Sequence, residues 1–174
     1  RHTRYISVTG VQTCALPISA ITGLWTAKNA SQVRKALRNW GAANMNVVYS
    51  DDQGNIGIAA NGIYPQVAHG TPWLPLNGTG ADDVIGTIPQ SQIPHVDNPA
   101  QGFVVSANER PVSSAYPYYI GTVYDFFDPG YRALTISAAL AQNHSVTSRD
   151  VASLQTSVSD HLAIDLLPLL VRVV

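Results

Sequence analysis

Beyond the first 18 residues, which are treated separately below, four histidines are the side chains best suited to acid–base catalysis or metal binding: His69, His95, His144 and His161. They lie far apart in sequence, and none has a second histidine at the spacing that places two ligands on one helix face, which argues against a zinc site. The adjacent pair Asp160 and His161 does not predict a catalytic triad, because neighbours on a helix point in different directions. No Gly-x-Ser-x-Gly nucleophile motif is present either.

Two glycine-containing segments resemble ligand-binding loops only superficially. Residues 51–55 read Asp-Asp-Gln-Gly-Asn, but the glycine of an EF-hand loop belongs at its sixth position, and Gly62 stands where that loop requires glutamate. Residues 78–80 read Gly-Thr-Gly and lack the Gly-Lys-Ser/Thr that completes a phosphate-binding loop. The first segment therefore predicts a turn, and no phosphate site is expected.

Composition restricts the class of protein. Charged residues are 12% of the 174 residues and apolar residues 45%, which is typical of a packed globular protein. Ten basic and eleven acidic residues give a net charge of -1 without a basic stripe, so nucleic acid is not an expected partner. The apolar runs are shorter than the ~20 residues that a membrane-spanning helix needs, so no membrane span is expected.

The first 18 residues need separate treatment. Residues 8–18 resemble, codon by codon, the translation of a common sequencing-library adapter; the alternative is a short strand that ends in a turn at Pro17. We favour the adapter, and therefore expect residues 1–18 not to be native and residues 19–174 to be an internal fragment, truncated at both ends. Cys14, the one cysteine, lies in the excluded segment, so no disulfide, thiolate metal site or cysteine nucleophile is expected in the remainder.

The remaining sequence changes its pattern several times. Residues 29–40 have apolar side chains at helical spacing and predict an amphipathic helix. Residues 46–50 and 56–60 flank the turn at 51–55 and predict a β-hairpin.

Downstream of the hairpin, residues 61–102 are rich in Gly and Pro, which predicts a long ordered loop. Residues 103–107 then predict a buried strand. Two helices should follow, one from Tyr131 to Gln142 and one capped near Thr147 or Ser148 that runs to about Leu167.

Six segments, in order, resemble the penicillin acylase family. They are NVVYSDDQGNIG at residues 46–57, GIYP at 62–65, the Ile-Pro pairs at 88–89 and 93–94, NPAQGFVVSAN at 98–108, Arg132, and DVASLQT at 150–156. The resemblance covers nearly all of residues 24–170 and corresponds to the middle of the catalytic β-chain. The sequence departs from many relatives at Gln66-Val67 and at Glu109, which marks it as a distant member.

The resemblance implies an α+β fold, part of the αββα sandwich of N-terminal nucleophile hydrolases. Such a precursor cuts itself, and the new N-terminal Ser acts as nucleophile and, through its own α-amine, as base. That Ser is not in this sequence, so the fragment alone should be inactive. The implied substrate is a small molecule with a linear amide, the implied protein partner is the α-chain of the same precursor, and the implied location is periplasmic or secreted.

The resemblance also assigns two site residues. Asn108 matches the family asparagine whose side-chain N–H donates to the oxyanion, and Arg132 matches the arginine that orients this asparagine. Their alternative interpretations are a turn asparagine before Arg110-Pro111 and a helix-surface arginine in a salt bridge. No cofactor is expected: the family allows calcium in the intact enzyme, but no carboxylate after Asn108 matches its ligands.

Two other classes remain as alternatives. The Asp-x-x-Gly-Asn hairpin and the Gly/Pro-rich segments also occur in non-enzymatic β-propellers and lectin-like binding modules, although a propeller needs the hairpin repeated at a regular period. A degenerate acylase homologue retained for partner binding is the other alternative, and loss of the nucleophilic Ser would identify it.

Overall fold

The computed structural model describes residues 10–41, 44–70, 72, 74–122 and 126–172. The chain divides into two units, Arg1–Pro99 with Tyr116–Tyr119 and Ala100–Ala115 with Ile120–Val174. The first contains helices α1 (Gly10–Thr26) and α2 (Ala30–Leu37), strands β1 (Met45–Ser50), β2 (Ile56–Asn61), β3 (Pro65–Val67), β4 (Val84–Thr87) and β5 (His95–Asp97), and a 3-10 turn (Gln90–Gln92); the second contains α3 (Tyr131–Ala141), α4 (Ser148–Gln155) and α5 (His161–Val171). This mixture of helices and small antiparallel sheets agrees with the α+β class.

The predicted hairpin is confirmed. Strand β1 pairs antiparallel with β2 from Met45 opposite Asn61 to Ser50 opposite Ile56, and β5 pairs with the other edge of β2. The Asp51 carboxylate closes the turn by accepting from the backbone N–H groups of Gln53 and Asn55 and from the Asn55 side-chain amide. These hydrogen bonds hold the pKa of Asp51 below its ordinary value, because they stabilise the ionised carboxylate. The bond from the Asn55 side chain has the largest effect.

Helix α2 confirms the amphipathic prediction and packs on the hairpin sheet. It begins at the cap residue Asn29, whose side chain accepts from the Gln32 N–H at 3.0 Å, and it buries Ala36 and Leu37. Arg34 pairs with Asp97 of β5, and the Tyr49 hydroxyl donates to the same carboxylate. The face of the sheet that carries Tyr49 and Asp97 is therefore the one that packs against α2.

The prediction of one long loop over residues 61–102 is wrong in part. The segment contains β3 and β4, which form a two-stranded antiparallel sheet, as well as the 3-10 turn and β5. Each strand is only three or four residues long, too short to leave a periodic pattern, and Pro65 occupies a first strand position, where proline is tolerated. The glycine and proline content thus predicts where regular structure is interrupted, but it does not reveal the short strands between these interruptions.

The predicted buried strand at residues 103–107 is also wrong. In the structure this segment has no strand pairing, and of its side chains only that of Ala107 is fully buried. A strand needs a neighbour to complete its ladder, and none of the described residues supplies one here.

Helix α3 confirms the prediction for residues 131–142, whereas the long second helix is divided. Its start is as predicted, because Thr147 and Asp150 form a reciprocal capping box. Residues 156–160 then interrupt the helix, and Asp160 caps α5 by accepting from the Leu162 and Ala163 N–H groups. The apolar periodicity continued across the break, but the Thr-Ser-Val-Ser-Asp run favours caps and turns over helix.

Helix α1 includes residues 10–18 of the adapter-like segment and contains Pro17, so the strand considered as the alternative is wrong. The expectation that residues 1–18 are not native is a separate matter and stays a prediction. Within the described residues, no helix combines the length and the apolarity needed to cross a membrane.

Candidate functional site

Asn108 lies in the second unit, at a turn that begins directly after the buried Ala107. Its φ of 67° is in the left-handed region, which asparagine tolerates better than most other residues with a side chain. The backbone N–H of Asp128 donates to the Asn108 carbonyl at 2.8 Å, and the neighbouring Glu109 forms a parallel bridge with Asp128. The Glu109 carboxylate also accepts from the Ala107 N–H at 2.6 Å. These bonds fix the backbone from which the Asn108 side chain projects.

Arg132 is the second residue of α3, and its guanidinium contacts the Asn108 amide. Its Nη2 donates to Asn108 Oδ1 at 2.7 Å. A guanidinium can only donate hydrogen bonds, so the amide atom that faces it must be the oxygen. The contact therefore determines which way the amide is turned and leaves Nδ2, with its two hydrogens, on the other side.

The Asn108 Nδ2 has no hydrogen-bond partner among the residues that the structure describes. Asn108 is exposed, so these two hydrogens are accessible from outside the unit. An oriented neutral donor of this kind can stabilise negative charge that develops on an oxygen placed opposite it.

Asp128 is a member of this site that the sequence did not identify. Its carboxylate accepts from Nη2 of Arg132, and its backbone N–H holds Asn108. The available signal was its position four residues before Arg132, which allows an ion pair on one turn, but the proline and glycine between them obscured the helix start. The Arg132 and Asp128 side chains are 60% and 48% exposed, so the pair adds little to folding stability. Its main effect is to limit the orientations of the guanidinium.

A cleft of about 460 Å³ adjoins this cluster within the same unit. It is lined by Asp128 and Arg132, among others, and by residues 157–162, which end in the first residues of α5. His161 lies in it, with Nδ1 3.1 Å from Thr135 Oγ1. The Thr135 hydroxyl also lies 3.1 Å from the Tyr131 carbonyl, to which it can donate.

The predicted site residues Asn108 and Arg132 are thus in direct contact, whereas the four histidines do not form a cluster with one another. No group of three or more His, Cys, Asp or Glu side chains that could hold a metal ion is found in the described part of the chain. The catalytic roles of Asn108 and Arg132 stay predictions.

Comparison with known proteins gives consistent relatives. The penicillin amidase family model matches residues 4–173. The penicillin acylase 2 proenzyme of Pseudomonas sp. (strain SE83) is 30% identical over 151 residues, which are 86% of this chain and 19% of that protein. The penicillin G acylase of Escherichia coli is 36% identical over 88 residues, 50% of this chain and 9% of that protein. The chain thus spans less than a fifth of the length of these curated relatives.

A solved structure shows the same fold at lower sequence identity. The thermostable penicillin G acylase from Alcaligenes faecalis superposes with a TM-score of 0.68 and 22% identity, over 82% of this chain and 25% of that one. The resemblance stated from the sequence is confirmed, because the family model covers the chain from end to end except for a few residues. This chain belongs to the penicillin amidase family.

Proposed function

We propose that the protein carrying this chain hydrolyses a linear amide between an acyl chain and an amine, and that Asn108 donates to the oxyanion of the tetrahedral intermediate. The observation that carries this proposal is the hydrogen bond from Arg132 to Asn108 Oδ1, since it turns Nδ2 outward as a donor. Family membership supports amide hydrolysis as the reaction.

The nucleophile in this proposal is an N-terminal Ser outside the 174 residues, released by self-cleavage of a precursor. Its Oγ attacks the carbonyl carbon while its proton passes to the α-amine of the same residue, whose pKa of about 8 suits it as a base near neutral pH. The carbonyl oxygen becomes an oxyanion opposite Asn108 Nδ2. The C–N bond then breaks, the amine leaves with the proton, and water hydrolyses the acyl-enzyme. One such donor typically contributes ~3–4 kcal/mol to the barrier.

Arg132 acts in this scheme as a positioning residue. It contacts the Asn108 oxygen and leaves the donor hydrogens to the substrate. Asp128 restrains the guanidinium and, through its backbone, Asn108 itself.

The substrate class comprises β-lactam side-chain amides and long-chain N-acyl homoserine lactones. The acyl pocket that selects between them is expected near the nucleophile, outside these residues. The expected partner is the α-chain of the same precursor, and the expected location is the periplasm or the cell exterior.

The first experiment is to sequence the native gene upstream of Ala20 and to express the complete protein. We expect an open reading frame with a Gly-Ser-Asn cleavage site and a signal peptide. The expressed protein should then process itself and release amine from a phenylacetyl amide or an N-acyl homoserine lactone. A frame that lacks the Ser would contradict the proposal and favour a degenerate homologue retained for partner binding.

A further inference from the structure

A second cavity, of about 230 Å³, lies in the first unit between α2 and the hairpin sheet. Its polar lining comprises side chains that can donate hydrogen bonds, and no Asp or Glu is among the lining residues. The polar members are Arg34, Arg38, Asn61, Gln90, Ser91 and His95. The cavity belongs to a different unit from Asn108 and has no part in the function proposed above.

Asn61 is the buried polar residue of this cavity, with only 2% of its surface exposed. Its Oδ1 accepts from the Met45 backbone N–H at 3.1 Å. Because that N–H can only donate, the orientation of the amide is determined, as it is for Asn108. The Asn61 Nδ2 is buried and has no hydrogen-bond partner in the described structure. A buried donor without a partner is costly to a fold, which points to an acceptor that these residues do not supply.

The register of the sheet places Asn61 on the side that faces α2. Side chains alternate along β2, so Asn61 shares a face with Ala59 and Gly57. On that face Tyr49 lies over Gly57, where an added Cβ would come within 2.4 Å of the ring. The Tyr49 hydroxyl donates to the Asp97 carboxylate, which also forms the ion pair with Arg34 of α2. The side chain of Asn61, one of the residues that line the cavity, is therefore on the α2 side of the sheet.

The two arginines of the cavity differ in whether a carboxylate pairs with the guanidinium. Arg34 is paired with Asp97. The guanidinium of Arg38, an exposed residue one helical turn later, has no ion-pair or hydrogen-bond partner among the described residues. The cavity therefore combines one uncompensated positive charge with a buried neutral donor.

We propose that this cavity binds a carboxylate group, with one oxygen accepting from Asn61 Nδ2 and the charge balanced by Arg38. An ionised carboxylate is purely an acceptor, which matches a lining of donors, and guanidinium–carboxylate contacts are among the stronger hydrogen bonds in proteins. The volume suits a short carboxylic acid or the end of an acidic side chain. The group comes either from a free small molecule or from an Asp or Glu of the acylase outside the 174 residues.

The test measures acetate binding to the complete, processed enzyme by ligand-observed NMR, with chloride at equal ionic strength as the control anion. We expect saturable acetate binding that weakens at least tenfold in Arg38→Gln and in Asn61→Asp. Asn61→Asp keeps the acceptor for Met45 and replaces the donor with a carboxylate oxygen, whose negative charge also repels the anion. The matched control is Lys35→Gln, which removes a positive charge from an exposed position of the same helix that does not line the cavity. It should bind acetate like the wild type, as should Asn108→Ala.

A structure of the complete enzyme distinguishes the two sources. If no acetate binds but an Asp or Glu oxygen of the enzyme lies within hydrogen-bond distance of Asn61 Nδ2, the carboxylate is the protein's own and the proposal holds. Acetate affinity unchanged by Arg38→Gln and Asn61→Asp would overturn it. Absence of acetate binding together with no carboxylate near Nδ2 would overturn it as well.

Discussion

Asn98 in the first unit and Asn108 in the second are the two non-glycine residues with positive φ in the described chain, and they use their side-chain amides differently. Asn98 accepts from the Ile56 N–H at 2.9 Å and donates through Nδ2 to Asn55 at 2.8 Å, so both ends of its amide are used inside the fold. Asn108 uses only its oxygen, in the contact with Arg132. The same backbone conformation thus supports a structural asparagine in one unit and a donor kept available in the other.

The two units that contain these asparagines also differ in how many of their described residues are buried. The first unit contains most of the buried apolar residues, including Ala36, Leu37, Ile88 and Ile93. In the second unit no residue of α3, α4 or α5 is fully buried. A substitution of Asn98 should therefore affect stability, and a substitution of Asn108 should affect chemistry.

The largest expected effect is that of Asn108→Ala in the complete, processed enzyme. Loss of one oxyanion donor should lower kcat by about 10²–10³-fold, or ~3–4 kcal/mol of barrier. The thermal unfolding temperature should fall modestly, because alanine must adopt a φ of 67° at this position, but by no more than in Asn98→Ala. Steady-state kinetics and a melting curve test both statements, and a variant that melts early with its kcat intact would reverse the comparison.

Arg132→Leu should have the next largest effect. The lost hydrogen bond from a charged donor corresponds to ~1.5–3 kcal/mol, so kcat should fall by about 10–100-fold with a smaller change in KM. Arg132→Lys should recover part of the loss, because the ammonium can still donate. In an Asn108→Ala background, Arg132→Leu should add almost nothing, since it acts through Asn108. Additive losses would show that Arg132 has a separate role.

Asn98→Ala should instead destabilise the fold by about 1–3 kcal/mol, because the Ile56 N–H loses its acceptor and alanine must adopt a positive φ. The kcat of the folded enzyme should be unchanged. Asn98→Gly also loses the acceptor for Ile56, but glycine adopts a positive φ without steric cost. Its unfolding free energy, measured by chemical denaturation, should therefore lie between those of the wild type and Asn98→Ala. A large kcat loss in the folded Asn98→Ala variant would contradict its structural assignment.

Asp128→Ala should have a small effect. The exposed pair with Arg132 contributes up to ~1 kcal/mol, and the backbone hydrogen bond to Asn108 is retained. We expect kcat to fall less than about fivefold and the loss to grow with lower ionic strength, because the pair is then less screened in the wild type. A kcat loss equal to that of Arg132→Leu would make Asp128 essential to the orientation of the guanidinium.

The smallest effect concerns pH and the hairpin turn. The Asp51 pKa is lower in the folded chain than its ordinary value of 3.8. Its contribution to stability is therefore complete above pH 3.8 and is lost as pH falls through the folded pKa. The difference in unfolding free energy between wild type and Asp51→Ala should shrink only below about pH 4. A difference that is constant with pH would show that the carboxylate charge is unimportant in this turn.

Local signals explain which elements could be predicted from the sequence. The hairpin has its own turn residues, and α2 and α3 have apolar faces with recognisable boundaries, so each was predicted near its observed bounds. The strand expected at residues 103–107 depends on a neighbour that no local pattern encodes. The break at residues 156–160 depends on the cap that Asp160 makes, which competes with a continuous apolar periodicity.

The residues of the candidate site also lack local sequence signals of this kind. Asn108 and Arg132 could be named only through the resemblance to a family, because 24 residues separate them and their contact is not a local feature. Asp128 belongs to none of the family-like segments of the sequence, and its part in the site follows only from its two contacts. The buried Asn61 was equally invisible, because its unsatisfied atom is a property of packing and not of residue type.

The kcat of Asn108→Asp in the complete enzyme, measured together with its thermal unfolding, tests whether Asn108 donates to the oxyanion. Aspartate keeps the size, the tolerance of positive φ and the acceptor for Arg132, and replaces the Nδ2 donor with a carboxylate oxygen whose negative charge also opposes an oxyanion. We predict a loss of kcat at least as large as that of Asn108→Ala, with an unfolding temperature close to that of the wild type. Activity near the wild-type level in Asn108→Asp would contradict the claim that Asn108 donates to the oxyanion.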